Sequence, residues 1–275
     1  MNKLYSLIAI IFILSGCCNE VPLELPEFTL PVSEKRVLVE ELTGVQCINC
    51  PDGATTIKNI QTLYPGKVIS IAIHAGSLSE PMDENKYDLR CEDGINIEGS
   101  WAYLGKPAAA IDRVAYEEPE IPVSGYTSWQ TYIEQELLKE NVINIEVISD
   151  FDVDSRAGTV KVSALPLKNI EGNFKIFVAL IENKIVDSQK LKNGSIDEEY
   201  EFENVLRDMI TPYNGTEIAN QLKKNTLVTK SFNFSLPASD GTWIPENMKI
   251  VAFVTGNYEY NYETVMNVTE IDLVK

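Results

Sequence analysis

Two cysteines three apart, Cys47-Ile48-Asn49-Cys50, stand just after the apolar run Val37-Leu38-Val39. A strand that turns into C-x-x-C and then into a helix is a common housing for thiol–disulfide chemistry. Unpaired N–H groups at the helix start favour the thiolate of the first cysteine. Cys47 is then the attacking thiol and Cys50 the resolving one, acting through a mixed disulfide. An inert disulfide and a zinc site are the competing readings. Cys47, Cys50, Cys91 and His74 make up a Cys₃His set, which is a legitimate zinc inventory. Cys91 is isolated, however, so no metal ligand is assigned and no cofactor is expected. His74 is the only histidine. If its strand runs parallel to the first, it ends at the edge where the cysteines sit, and as a cation it would favour the Cys47 thiolate.

Other chemistries find little support. Gly99 to Lys106 superficially resembles a phosphate loop, but its glycines are spaced one residue too widely and Pro107 stands where Ser/Thr is needed. Asp150-Phe151-Asp152-Val153-Asp154 resembles the start of a calcium loop, yet Ser155 and Lys161 replace its glycine and glutamate. A single histidine and scattered acids give no hydrolase triad and no glycosidase pair. With 41 acidic against 23 basic residues the formal charge is −18. That argues against nucleic acid and against anionic lipid surfaces as electrostatic partners.

The N-terminus carries one lysine, an apolar stretch from Leu7 to Leu14, and then Leu14-Ser15-Gly16-Cys17. The stretch is well short of the roughly 20 residues a membrane span needs, so residues 1–16 read as a secretory signal peptide. Leu-Ser-Gly-Cys resembles the bacterial lipobox. The resemblance implies cleavage before Cys17 and lipidation there, anchoring the protein to a membrane through acyl chains. Cys18-Asn19-Glu20 follows without an aspartate retention signal, which favours the outer membrane. Residues 17–33 hold Pro22, Pro26 and Pro31 among acids and read as a lipidated, extended tether.

The elements that must position the pair follow from periodicity. A strand is expected from Arg36 to about Leu42, a helix over Ala54 to Tyr64, and a buried strand from Val68 to His74. Strand, helix and strand of these lengths form a right-handed βαβ unit. A helix is expected around Glu84 to Cys91, a proline turn at Gly105-Lys106-Pro107 leading into a strand, and a closing helix over Trp129 to Glu140. Beyond Glu140–Asn144 the period changes to two. Strands are expected over Ile143–Val153, from Val160, and over Phe174–Ile181, Thr229–Leu236, Ile250–Thr255 and Glu263–Ile271, with a helical turn near Asn204–Met209. The chain therefore reads as an α/β domain over 34–141 and an all-β, immunoglobulin-like sandwich over 142–275. The run Tyr258-Glu259-Tyr260-Asn261-Tyr262 reads as a solvated hairpin or a binding loop.

The strand into Cys47-x-x-Cys50, the βα unit after it, and Gly105-Lys106-Pro107 before a strand together resemble the thioredoxin superfamily. The resemblance implies a cis-proline loop at Pro107 beside the cysteines. It also implies a buried acid at Glu41, six residues before Cys47, relaying a proton to the resolving sulfur; Glu40 then points to the opposite face of the strand. More narrowly, the segment from Val37 to Pro51, with Ile73-His74-Ala75-Gly76, Asp88-Leu89-Arg90 and Asn204-Val205-Leu206-Arg207, resembles the Omp28-related outer-membrane lipoproteins. Two functions are open. One is a lipid-anchored envelope thiol–disulfide oxidoreductase acting on protein thiols. The other is a non-catalytic outer-membrane or surface lipoprotein whose sandwich binds a protein or ligand partner.

Overall fold

The computed structural model describes residues 34–117 and 120–274. Cys17, the signal peptide and the tether lie outside the described residues.

Seven consecutive buried residues form strand β1 (Val37–Thr43), and seven more form β2 (Val68–His74). Helix α1 (Cys50–Leu63) connects them, and the strands pair in parallel with Val37 opposite Val68 and Thr43 opposite His74. Helix α2 (Glu92–Gly99) follows, then β3 (Ala108–Ile111), antiparallel to β1, the short β4 (Val123–Ser124) and helix α3 (Trp129–Leu137). The expected βαβ unit, proline turn and closing helix are all present. The helix expected over Glu84 to Cys91 is not, and α2 begins one residue later. Asp187 takes the backbone N–H groups of Lys86 and Tyr87 at 2.9 and 3.0 Å, and Asn85 bonds Met82 N and Ser188 O. Donors held by side chains of a distant segment do not build a helical ladder.

The remaining chain is nearly all strand: β5 (Ile143–Asp152), β6 (Ala157–Pro166), β7 (Ile170–Glu182), β8 (Ile185–Lys190), β9 (Ile196–Phe202), β10 (Val205–Met209), β11 (Thr216–Leu222), β12 (Val228–Ser235), β13 (Met248–Gly256) and β14 (Thr264–Asp272). The acids around Asp152 end a strand in a turn, with Ser155 N donating to Asp152 at 2.7 Å. The helical turn expected at Asn204–Met209 is strand β10 instead. Asn204 takes a left-handed φ of 56°, which turns the chain so that β10 pairs with both β2 and β7.

That pairing changes the domain picture. One sheet runs β14-β13-β7-β10-β2-β1-β3-β4, with β11 on β7, so segments 34–141 and 142–275 share a sheet and are not separate bodies. The sandwich is formed where the sheet β12-β6-β5 covers one face of β7 and β13, burying Val147, Val160 and Val162 against Phe174, Val178 and Ile250. The opposite face of β7 and β13 packs Phe177, Ala179 and Phe253 into the same core as Leu38, Leu42 and Ile71. Strands buried on both faces read as continuous apolar runs, as Phe177-Val178-Ala179-Leu180-Ile181 does. The tyrosine run between β13 and β14 is tied down, since Tyr262 Oη accepts Ala115 N–H at 3.1 Å.

Candidate functional site

β1 delivers the chain to the cysteines through a tight turn. Gly44 must be glycine, because a Cβ there would stand 2.3 Å from the Leu78 carbonyl oxygen. Cys47 N–H donates to Gly44 O at 3.0 Å, Cys50 N–H to Cys47 O at 3.2 Å, and α1 starts at Cys50 with Pro51 in its first turn. Proline is favoured there because its missing N–H would have had no helical partner. Cys47 and Cys50 are joined as a disulfide.

Alternation along β1 sends neighbouring acids to opposite faces. Glu41 shares the α1 face with Val37 and Val39. It is 4% exposed and its Oε1 has no hydrogen-bond partner among the described residues. Burial alone pushes its pKa up to about 8, because no neighbouring charge compensates desolvation of the carboxylate. Gly53 in the first turn of α1 shows how close the parts are. A Cβ at Gly53 would lie 3.0 Å from Glu41 Oε1 and 3.0 Å from Pro107 Cβ. The Lys106–Pro107 bond is cis. Lys106 clamps this loop to the strand ends, donating to Thr43 O at 2.9 Å and Ala75 O at 2.5 Å and pairing with Glu98 at 2.9 Å. The structure thus brings Cys47, Cys50, Glu41 and Pro107 together.

His74 is at the expected edge, opposite Thr43, but it is not the expected cation. It is 2% exposed and neither ring nitrogen has a hydrogen-bond partner among the described residues. Burial, then the positive charge of Lys106, pushes its pKa down to about 3; the Ala72 backbone opposes this, Arg207 adds to it, and Asp88 opposes it last. A neutral imidazole supplies no charge to a thiolate. The Cys₃His set is not gathered either. Cys47 and Cys50 are bonded to each other, while Cys91 Sγ caps α2 by accepting Gly94 N–H at 3.3 Å, its thiol pushed up to about 11 chiefly by burial.

The hairpin β8–β9 was not foreseen, although Asn193-Gly194 is a strong hairpin signal. It folds over the cysteine pair. Gln189 Nε2 donates to Cys47 O at 3.2 Å, Lys190 N–H to Val45 O at 2.8 Å, and Lys192 pairs with Asp52 at 2.9 Å. Ile185 and Phe202 bury against Val45 and Leu89. Under this cover Cys47 and Cys50 are 3% and 2% exposed, so little of either is open to an attacking sulfur.

The segment holding Pro107, the hairpin and the sandwich, residues 96–274, matches the family model described as outer membrane protein Omp28. The chain belongs to the Omp28 family. That match begins beyond Cys47, Cys50, Glu41 and His74, so membership speaks for the protein's class and not for the cysteine pair. No curated protein matches the chain in sequence. Among solved structures, HBP35 of Porphyromonas gingivalis is similar at a TM-score of 0.68 and 14% identity, over 88% of this chain and 76% of that one. A protein of Agrobacterium tumefaciens is similar at a TM-score of 0.53 and 10% identity, over 88% of this chain and 96% of that one. At these identities the likeness is one of fold. Among the described residues no helix is long and apolar enough to cross a membrane.

Proposed function

We propose that this Omp28 family member is a lipid-anchored envelope protein that exchanges disulfides with protein thiols through Cys47 and Cys50, on a thioredoxin-like arrangement within residues 34–141. The observation that carries this reading is Glu41. An unpartnered buried acid lowers stability, and an inert disulfide has no use for one. A carboxyl that holds its proton to about pH 8 is suited to hand that proton to the Cys50 sulfur as the pair is reduced, and to take it back on oxidation. Cis-Pro107 and the helix start at Cys50 complete the set. Exchange requires β8–β9 to swing clear, since thiolate attack needs access to sulfur.

Turnover of an insulin disulfide by the mature chain, with dithiothreitol as reductant, tests this reading. Reduction faster than the uncatalysed rate, lost in Cys47→Ser, supports it; a rate equal to that of Cys47→Ser overturns it. The anchor is tested separately by mass spectrometry of the native chain, where a diacylglyceryl thioether on Cys17 is the expected adduct. An unmodified chain beginning elsewhere rules the anchor out.

The low exposure of both cysteines beside the β8–β9 hairpin favours a second reading, a non-catalytic envelope binding protein with the disulfide as a staple and the sandwich as the working part. Under that reading insulin turnover is absent and the reduced chain keeps its partner.

A further inference from the structure

A cleft of about 650 Å³ opens beside α1, between β2 and the β8–β9 hairpin, within the roughly 300–1,000 Å³ typical of small-molecule pockets. Two of its lining residues, Glu41 and His74, carry buried polar atoms that no described residue satisfies: Oε1 of Glu41 and both ring nitrogens of His74. Buried polar groups are normally hydrogen-bonded, and each one left unpaired costs about 1–3 kcal/mol. Two at one cavity point to an occupant.

The chemistry of that occupant follows from the lining. Glu41 and His74 are both held uncharged near neutral pH by burial, so a charged group placed between them would lack a counter-charge. A protonated carboxyl and a neutral imidazole each offer one hydrogen to an acceptor. Tyr200 and Phe202, with ring centroids 4.7 Å apart, form an aromatic wall, and Phe202 stands edge-on to His74 at 5.5 Å. Pro51 and Ile57 of α1 add apolar surface, while exposed Lys58, Lys184 and Glu201 mark the solvent rim.

We propose that the cleft binds a small, uncharged, planar ring compound bearing carbonyl oxygens, of the quinone class, with Glu41 and His74 donating to the carbonyls. Cys50 lines the same cleft, so the ring sits beside the cysteine pair. Reduction of the quinone to its hydroquinone takes two electrons and two protons. Cys47–SH and Cys50–SH supply both as the S–S bond forms. This last step rests on the exchange reading above; binding does not.

Duroquinone is the probe, because its fully methylated ring leaves no position for thiol addition. It is titrated into the mature disulfide form, with binding read from tyrosine and tryptophan fluorescence and by calorimetry. One saturable site is expected, weakened about ten-fold or more by His74→Leu, the loss of one hydrogen bond, and likewise by Phe202→Ala. Binding is read on the disulfide form, in which neither Cys47 nor Cys50 is a free thiol, and this separates the cleft from the exchange reading. Absence of saturable binding overturns the proposal. So does unchanged binding in both folded variants, or equal binding of the anion 2,3,5,6-tetramethylbenzoate. In a second arm, anaerobic reduced protein should consume one duroquinone per disulfide formed. No consumption, with binding intact, refutes the electron-transfer step alone.

Discussion

Glu40 and Glu41 are adjacent on one strand and almost equally buried, at 2% and 4% exposure, yet the two faces of β1 treat them oppositely. Glu40 faces the shared core, where Arg113 binds it through two hydrogen bonds of 2.8 and 2.7 Å. The Arg113 guanidinium also lies 4.5 Å from the Phe177 ring centroid and 5.1 Å from that of Phe253. Beside it, Asp112 pairs with Lys35 at 2.5 Å and accepts Leu38 N–H at 2.8 Å, burial pushing its pKa up to about 6. Glu41, on the α1 face, meets no cation among the described residues. The first face is closed and its charges are paired, as stability requires. The second keeps unpaired polar groups next to a disulfide and a cavity, which is where function tolerates a stability penalty. The later part of the chain serves both faces: Phe177 and Phe253 lock the first, and Gln189 and Phe202 cover the second.

The contrast is broken most strongly at Arg113. Arg113→Met strands the Glu40 carboxylate in the core and is expected to cost about 3–5 kcal/mol in denaturant unfolding. Adding Glu40→Leu should restore most of that loss, because an apolar pair fits where an ion pair did. A double variant as unstable as the single one would show that the guanidinium contributes by packing on the rings and not by neutralising Glu40.

On the other face the effects are read as pH dependence. The folded chain keeps the Glu41 proton to about pH 8, whereas an ordinary glutamate carboxyl loses it near 4.5. Folded protein therefore binds more protons across that window, and stability from this group falls as pH rises, by about 1.4 kcal/mol per unit. Glu41→Gln should flatten this slope and leave the variant more stable than wild type at pH 8. A slope retained in Glu41→Gln would place the buried proton elsewhere.

His74 gives the mirror image. Its folded pKa of about 3 lies below the ordinary 6.5, so the unfolded chain binds the extra proton in between. Stability from this group is present above pH 6.5 and is lost as pH falls towards 3, again by about 1.4 kcal/mol per unit. His74→Leu should flatten the acid limb and leave the alkaline one untouched.

The smallest effect belongs to the rim. Lys192 and Asp52 are 62% and 47% exposed, and Lys192→Ala should change stability by roughly 0–1 kcal/mol. If β8–β9 gates the disulfide, the same variant should still speed its reduction by tris(2-carboxyethyl)phosphine. An unchanged rate would mean that this contact does not hold the hairpin down.

Much of the site was legible because it is local. The C-x-x-C spacing, the apolar strand before it and the three-residue stripe of Ile57, Ile60 and Leu63 all lie within one βα unit. Alternation alone placed Glu40 and Glu41 on opposite faces. The strands of the sandwich were readable from period two, but β8 to β11 were not, since their patterns are short, polar or interrupted by bulges. The misplaced helix at 84–91 failed because its backbone donors answer to Asp187, a hundred residues away.

Residue order by itself therefore determined the C-x-x-C spacing, the βαβ frame, the proline turn and the acidic, β-rich character of the chain. Charge states and access were decided only in the folded molecule. A carboxyl or an imidazole acquires its pKa from what excludes water around it. Here that exclusion comes from α1 and from a hairpin roughly 140 residues downstream of the cysteines it covers, whose Gln189 reaches the Cys47 carbonyl. Local pattern carries no information about that contact. Burial, not residue order, keeps Glu41 and His74 uncharged and leaves little of the cysteine pair exposed.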